Sequence, residues 1–418
     1  MNSVWFVVAY STLLLNIFLI FKSYLNKNLF SFTFFSIWLA IYSIQELIIL
    51  NDLCSEVQIK YLNVIITQSG FKITSILHFV LVFMFIFLNT KIYSIDKIEE
   101  NFICGYKCKF LYSLFFFIVL FLFIYKLGGL SNLFLISRPA NKTGLSMFIF
   151  FFVSTKLFLF ASYNKKFDSY FLFLYIISLV VFLMATRLHF LMSILSLLTF
   201  VWMMKRKEMG RDVFNYKMLL AIISLPIIFL FLGLIKLKDD SIEMILEIGL
   251  LNYFQESFST LSSLMYFMYT VSIEGFSNVA AFFSNNKLDY IPNFGISHAE
   301  FFIYFLPGVF RDPFKDYEHY VNSFTSIEGN VPVVLTQVFE SFHIYGLFAF
   351  FICVYIFYKI VNESFKTKDM TKFLFYLIIL NNSLLFIRGN VEQFIAFMFY
   401  DIFGLILLKL LAKKRFAD

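Results

Sequence analysis

Charge is scarce in this chain. Only 15% of its 418 residues are charged and 60% are hydrophobic, where a soluble domain carries about a quarter charged residues. With a mean hydropathy of +0.81, the composition excludes a soluble globular protein and indicates an integral membrane protein. The 6 prolines and 15 glycines mark no low-complexity tract, internal repeat or soluble domain boundary. The four cysteines, Cys54, Cys104, Cys108 and Cys353, form no disulfide framework, and the Cys104–Cys108 pair has no histidine nearby to complete a zinc site. Several chemical signatures are missing altogether. There is no Walker A loop, so no nucleotide drives the protein, and there is no H-E-x-x-H, G-x-S-x-G or paired C-x-x-C. The start, MNSVWFVVAYSTLLLNIFLIFK, lacks a basic n-region and a cleavage site. Its charge follows the apolar run, which predicts a retained first span with the N-terminus outside. The 63 phenylalanines and 24 tyrosines accompany abundant Ile, Lys and Asn and read as gene base composition.

Apolar runs fill the rest. A spanning helix needs about 20 apolar residues. By that rule the chain holds about eleven spans: 3–21, 29–50, 61–88, 110–125, 144–163, 169–185, 189–204, 218–235, 333–358, 373–387 and 392–412. The fold class expected is all-α, a polytopic transmembrane helix bundle. Its blocks are 1–235 (spans one to eight), 236–332 (a large helical loop) and 333–418 (spans nine to eleven). The third span contains Gln68, Gly70, Lys72 and His78 and is expected to be polar-lined or broken. The sixth and seventh form a tight hairpin with Arg187 at its tip. The loop 236–332 is the long stretch that is not mostly apolar, with twelve acidic residues against Lys236, Lys238, Lys287, Arg311 and Lys315. The acidic pair Asp239–Asp240 reads as a solvated helix start.

The net charge of +7 is no nucleic-acid footprint; it reports topology. Odd-numbered loops and the C-terminus carry twenty Lys and Arg residues, and the short even loops six. The positive-inside rule puts the odd loops in the cytoplasm. The N-terminus and the loop 236–332 then face the periplasm, and the C-terminus faces the cytoplasm.

Arginine is rare, seven against 27 lysines. Arg138, Arg187, Arg311 and Arg388 each fall in a different outer loop. A helix-end anchor needs only a snorkelling cation, which lysine provides. A planar fork that grips phosphate at two points needs arginine. These four are therefore the candidate ligands of an anion. Arg187 and Arg388 sit at hairpin tips, at the depth of a lipid headgroup. His298 and His319 lie in the polar loop and have the right intrinsic pKa for proton transfer. Glu340 stands where that loop re-enters the membrane, a depth at which a carboxylate needs a partner or a task. His189 and His343 lie at outer edges, and His78 reads as a satisfied buried group.

These features resemble the Wzy-type O-antigen or oligosaccharide repeat-unit polymerases of bacterial inner membranes. The likeness covers the topology and three short segments. ATRLHFLMSILSL is similar to that family's Ser-Arg hairpin, with Thr186 in place of serine and Leu188 in place of the following glycine. FLPGVFRDPF is similar to its Pro-rich basic loop, and ESFHIYG, Glu340 to Gly346, to its acidic-aromatic-glycine signature. The resemblance implies a GT-C-like fold and a glycosyltransferase that moves a growing glycan from undecaprenyl diphosphate onto the next lipid-linked repeat unit. Arg187 and Arg388 would hold the diphosphate, and Arg311 and Arg138 would orient donor phosphate or sugar. The base would be His319, His298 or Glu340, in that order. Partners implied are the undecaprenyl-diphosphate-linked oligosaccharide, membrane lipids and a chain-length regulator protein, with no nucleic acid. No cofactor or metal is required if arginine carries the diphosphate charge. An O-antigen ligase shares this architecture and donor. A lipid-linked oligosaccharide flippase or other transporter would show related halves and mid-membrane polar residues. A structural or signalling protein would make the arginines incidental.

Overall fold

The computed structural model describes residues 3–129, 163–209, 275–286 and 334–416, a few positions within them excepted. Among these residues five helices are long and apolar enough to cross a membrane. The protein is a predominantly helical membrane protein. It divides into two compact units. The first comprises Met1–Ile92, Met268–Val361 and Asn382–Ala396, the second Tyr93–Phe267, Asn362–Asn381 and Phe397–Asp418.

The first helix shows how lipid inverts the usual pattern. In α1 (Ser3–Leu25) the buried side chains are Ala9, Thr12, Asn16, Leu19 and Ser23, at alternating spacings of three and four. Val7, Leu14 and Phe21 on its other faces are mostly exposed. Lipid tails are as apolar as leucine, so large aliphatics gain little by turning inward. Small and polar residues gain close packing and interhelical hydrogen bonds.

Helix α2 (Leu29–Asp52) lies within the first unit, with over half of its apolar window buried. Asn28 caps it by accepting from the Ser31 amide at 3.1 Å. A π-helical turn at Leu39–Ser43 inserts an extra residue, which turns the later side chains relative to a regular helix. Phe34, Phe35, Trp38 and Tyr42 are buried. Phe34 meets Phe85 edge-on with ring centroids 6.0 Å apart, and Phe30 meets Tyr358 at 5.7 Å. Each such pair adds roughly 0.5–1.5 kcal/mol beyond area burial.

A short antiparallel hairpin follows, β1 (Gln58–Tyr61) with β2 (Val64–Thr67), then α3 (Gln68–Phe85). Tyr61 and Val64–Thr67 of the span expected over 61–88 are therefore strand, and its helix starts at Gln68. Thr67 ends the strand and caps α3 by accepting from the Gly70 amide at 3.2 Å. The anticipated break in this span is real, and it lies at the N-terminal end.

The second unit contains α4 (Tyr106–Leu127), α5 (Ser169–Ala185) and α6 (Arg187–Met209). The tight α5–α6 hairpin is present as expected, tied by the Tyr175 hydroxyl donating to the Ser193 carbonyl at 2.8 Å. Strand β3 (Glu100–Ile103) pairs with the C-terminal strand Lys413–Phe416, and a two-residue ribbon, β4 (Tyr163–Asn164) with β5 (Lys166–Phe167), stands nearby. These ribbons and β1–β2 qualify the all-α expectation without changing the class.

Three further helices lie wholly or mostly in the first unit. Helix α7 (Phe276–Asn286) comes from the polar segment 236–332, and α8 is Val334–Phe342. Helix α9 (Gly346–Lys366) follows a 3-10 turn at His343–Tyr345. The sequence predicts one continuous span over 333–358, and the structure corrects this. His343 has φ of 55° and ends α8. A Cβ on Gly346 would lie 2.4 Å from the Val338 carbonyl oxygen. In a straight helix these two residues would be about 12 Å apart, so the chain folds back sharply at the turn. Of the two, α9 has the length to cross a membrane, and α8 is a separate short element. Beyond it come α10 (Met370–Ser383), the single turn α11 (Leu385–Arg388), α12 (Val391–Leu411) and β6 (Lys413–Phe416). Helix covers most of each expected span that falls among the described residues, but only five helices there are long and apolar enough to cross a membrane; 144–162 and 218–235 lie outside the described residues.

Two lysines cap helix ends. Lys22 Nζ donates to the carbonyls of Ile86 at 2.8 Å and Leu88 at 3.3 Å, closing the end of α3. Lys207, beyond the apolar stretch of α6, donates to the carbonyls of Ser364, Phe365 and Thr367 at 3.1, 2.9 and 2.8 Å. Burial pushes its ammonium down to about 8, against the opposing pull of Asp96.

Candidate functional site

Every residue of α8 from Val334 to Ser341 is buried, so its polar side chains must be satisfied internally. Thr336 Oγ1 donates to Asn278 Oδ1 of α7 at 2.8 Å. Gln337 Oε1 accepts from the Val391 amide at 2.8 Å. That amide opens α12, where a helix leaves N–H groups without intrahelical acceptors. Glu340 lies one turn further along α8, at an angle between Thr336 and Gln337, and is 5% exposed.

Helix α11 is only four residues long and ends at Arg388. Its carbonyl at Ile387 accepts from the buried Tyr42 hydroxyl at 3.1 Å. Helix α8 packs against α11. The first unit therefore brings together the elements that carry Glu340 and Arg388, and fixes the backbone on both sides of the arginine. Arg187 opens α6 in the second unit, two residues after α5 ends. Arg138, His298, Arg311 and His319 lie outside the described residues.

Helix α7 is docked by three polar or close contacts. The Ser277 amide donates to Gln45 Oε1 at 3.0 Å. Ser284 Oγ accepts from the Thr67 amide at 2.9 Å. A Cβ on Gly70 would lie 2.5 Å from the Ala280 carbonyl oxygen, so backbone packs on backbone where α3 meets α7. This part of the polar segment is thus a buried structural helix.

Sequence reasoning missed a buried chain of side chains beside it. Glu46 is fully buried, and its Oε2 stands 2.7 Å from His78 Nδ1. Trp38 Nε1 lies 3.0 Å from His78 Nε2. An indole N–H can only donate. Nε2 must therefore carry a lone pair, the proton sits on Nδ1, and the imidazole is neutral. With both nitrogens engaged, His78 is unavailable as a base, which agrees with its reading as a satisfied buried group. Glu46 Oε1 has no hydrogen-bond partner among the described residues. Trp38 stacks on Tyr42 with centroids 4.0 Å apart and planes 11° from parallel. The signal was present: Glu46 in SIQELIIL is an acid inside an apolar run, which marks a site by default.

No group of three or more His, Cys, Asp or Glu side chains among the described residues is placed to hold a metal ion. No family model matches the chain, and comparison with curated proteins and with solved structures finds no significant relative.

Proposed function

We propose that this protein polymerises lipid-linked oligosaccharide repeat units at the outer face of a bacterial inner membrane. In this reading it is a GT-C-like glycosyltransferase of about eleven spans, with the N-terminus and the segment 236–332 in the periplasm and the C-terminus in the cytoplasm. The observation that carries the reading is the meeting of the Glu340 helix with the Arg388 turn, in a unit that also docks part of the polar segment. An acid and an arginine on contacting elements at an outer loop suit transfer from a diphosphate.

The chemistry balances without a nucleotide. An acceptor sugar hydroxyl attacks the anomeric carbon, forming a C–O bond as the bond to the diphosphate oxygen breaks. The electron pair leaves with undecaprenyl diphosphate, and Arg187 and Arg388 stabilise the charge that grows there. The hydroxyl proton passes to a base, His319, His298 or Glu340. Arg311 and Arg138 orient donor phosphate or sugar. No metal is needed where arginine forks carry the charge, and a chain-length regulator is the expected protein partner.

Gene deletion followed by electrophoresis of surface polysaccharide tests this. Glycan of a single repeat is the expected result. A complete but uncapped lipid A core would identify a ligase instead, and loss of all surface glycan would identify a flippase.

A further inference from the structure

The buried chain that ends at Tyr42 is not used by the reaction itself, and its position suggests what it does. Arg388 closes a single helical turn, too short to be stable alone. The carbonyl just before it and the amide three residues after it would both be orphans at helix ends. The Tyr42 hydroxyl supplies the donor to Ile387 at 3.1 Å, and Gln337 supplies the acceptor to Val391 at 2.8 Å. Tyr42 and Gln337 are 1% and 3% exposed, so water cannot replace either bond cheaply.

Tyr42 is itself held. Its ring lies flat on Trp38, whose indole is tied through His78 to Glu46. A stacked ring whose partner cannot rotate keeps its hydroxyl on one line. We propose that Tyr42 and Gln337 are positioning residues for Arg388, and that the Glu46–His78–Trp38 chain sets the Tyr42 ring plane. This rests on the assignment of Arg388 to the lipid diphosphate. It deepens that assignment, because stabilisation of developing charge depends on donors fixed before the reaction.

The experiment compares the full-length wild-type protein, purified in detergent, with Tyr42→Phe, Gln337→Met and Gln337→Glu. Tyr42→Phe keeps the stacked ring and removes only the hydroxyl, and Gln337→Glu keeps an acceptor oxygen. Amide hydrogen exchange over 385–392 is one readout, and chain length of the glycan made in cells is the other, with Arg388→Lys as reference. Tyr42→Phe and Gln337→Met should each raise exchange in that stretch roughly fivefold, the factor expected for one lost hydrogen bond. Gln337→Glu should restore protection. Both loosening variants should shorten glycan chains in the wild-type background and add nothing to Arg388→Lys. Unchanged exchange in both would overturn the positioning role. Raised exchange with normal glycan in these variants and in Arg388→Lys would instead overturn the role of Arg388 in polymerisation. Shortened chains that add fully to Arg388→Lys would show a general structural effect and sink the proposal.

Discussion

Replacing His78 with leucine should destabilise the protein more than replacing His78 and Glu46 together. The single change removes both bonds of the imidazole. The Trp38 indole N–H, buried completely, becomes an orphan donor at a cost of about 1–3 kcal/mol. Glu46 loses the partner of its Oε2 atom, and its Oε1 has none already. Breaking a buried polar pair by removing one member costs about 3–5 kcal/mol when the remainder is charged. The single variant should therefore lose on the order of 4 kcal/mol after the gain from a larger apolar side chain is subtracted. In His78→Leu with Glu46→Leu the acid is gone and only the indole remains unsatisfied. That variant should recover about 2 kcal/mol, roughly a thirtyfold change in the folded fraction. Unfolding of the purified protein by SDS titration in mixed micelles, followed by tryptophan fluorescence, measures both. If the double variant is as unstable as His78→Leu or worse, the hydrogen-bond chain does not govern the stability of this core. The apolar contacts of the ring would then account for it.

Other outcomes are equally definite. Lys207→Met should cost about 2–4 kcal/mol, because three carbonyls at the end of α9 lose a charged donor, and thermal unfolding in detergent would show it. With the folded ammonium titrating near 8 and the ordinary value at 10.5, the folded protein holds fewer protons between those limits. Wild-type stability relative to Lys207→Met should therefore rise from pH 8 to 10.5. Gly346→Ala should lower the unfolding temperature, since its Cβ would sit 2.4 Å from a backbone oxygen, with overpacking costs of about 1–3 kcal/mol. Asn285 is exposed near the end of α7, and Asn285→Cys with native cysteines removed should react with an impermeant maleimide in intact spheroplasts; reaction only after lysis would reverse the topology. Arg187→Lys and Arg388→Lys should each cut polymerisation about 100-fold at normal expression, because a point charge does not replace a bidentate fork, and normal glycan ladders in both would make these arginines plain interfacial anchors.

The five helices that are long and apolar enough to cross a membrane were legible because length and apolarity govern insertion into lipid. The two errors arose where a local rule overrode hydropathy. Residues 61–67 are apolar enough to pass as helix, yet β-branched Val64, Ile65, Ile66 and Thr67 favour a strand, and Thr67 with Gly70 spells a cap. The stretch VLTQVFESFHIYGLFAF reads as unbroken hydrophobic sequence, and the turn rests on a positive φ at His343 and a glycine whose close contact with Val338 only tertiary structure reveals. Glu340 stands out in the sequence because it is an acid at the edge of an apolar run. Tyr42, Gln45 and Gln337 do not, because a tyrosine or glutamine in a helix carries no signal until its partner, often far along the chain, is known. The partner of Tyr42 lies 345 residues away.

The contacts within each unit bear on the proposed orientation in a way the charge count cannot. In the first unit, elements at even-numbered loops touch one another: β2 meets α7, α7 meets α8, and α8 meets the Arg388 turn. Lys22 of the first loop reaches Leu88 at the start of the third. In the second unit β3 of the third loop pairs with the C-terminal strand and neighbours the β4 ribbon of the fifth. Asp96 of the third loop donates its amide to Phe365 in the ninth, and Lys207 of the seventh reaches Thr367 in the ninth. Even joins even and odd joins odd. One span missed or added between any two of these partners would have set loops from opposite faces in contact, which a bilayer about 30 Å thick forbids. This sorting supports the alternation, and charge then chooses the side. Lys22 and Lys207 owe their places to helix capping as much as to topology, but discounting both still leaves eighteen Lys and Arg in the odd loops and C-terminus against six in the short even loops. In the proposed orientation the Glu340 and Arg388 elements share one face of the membrane, the face opposite the loops rich in Lys and Arg.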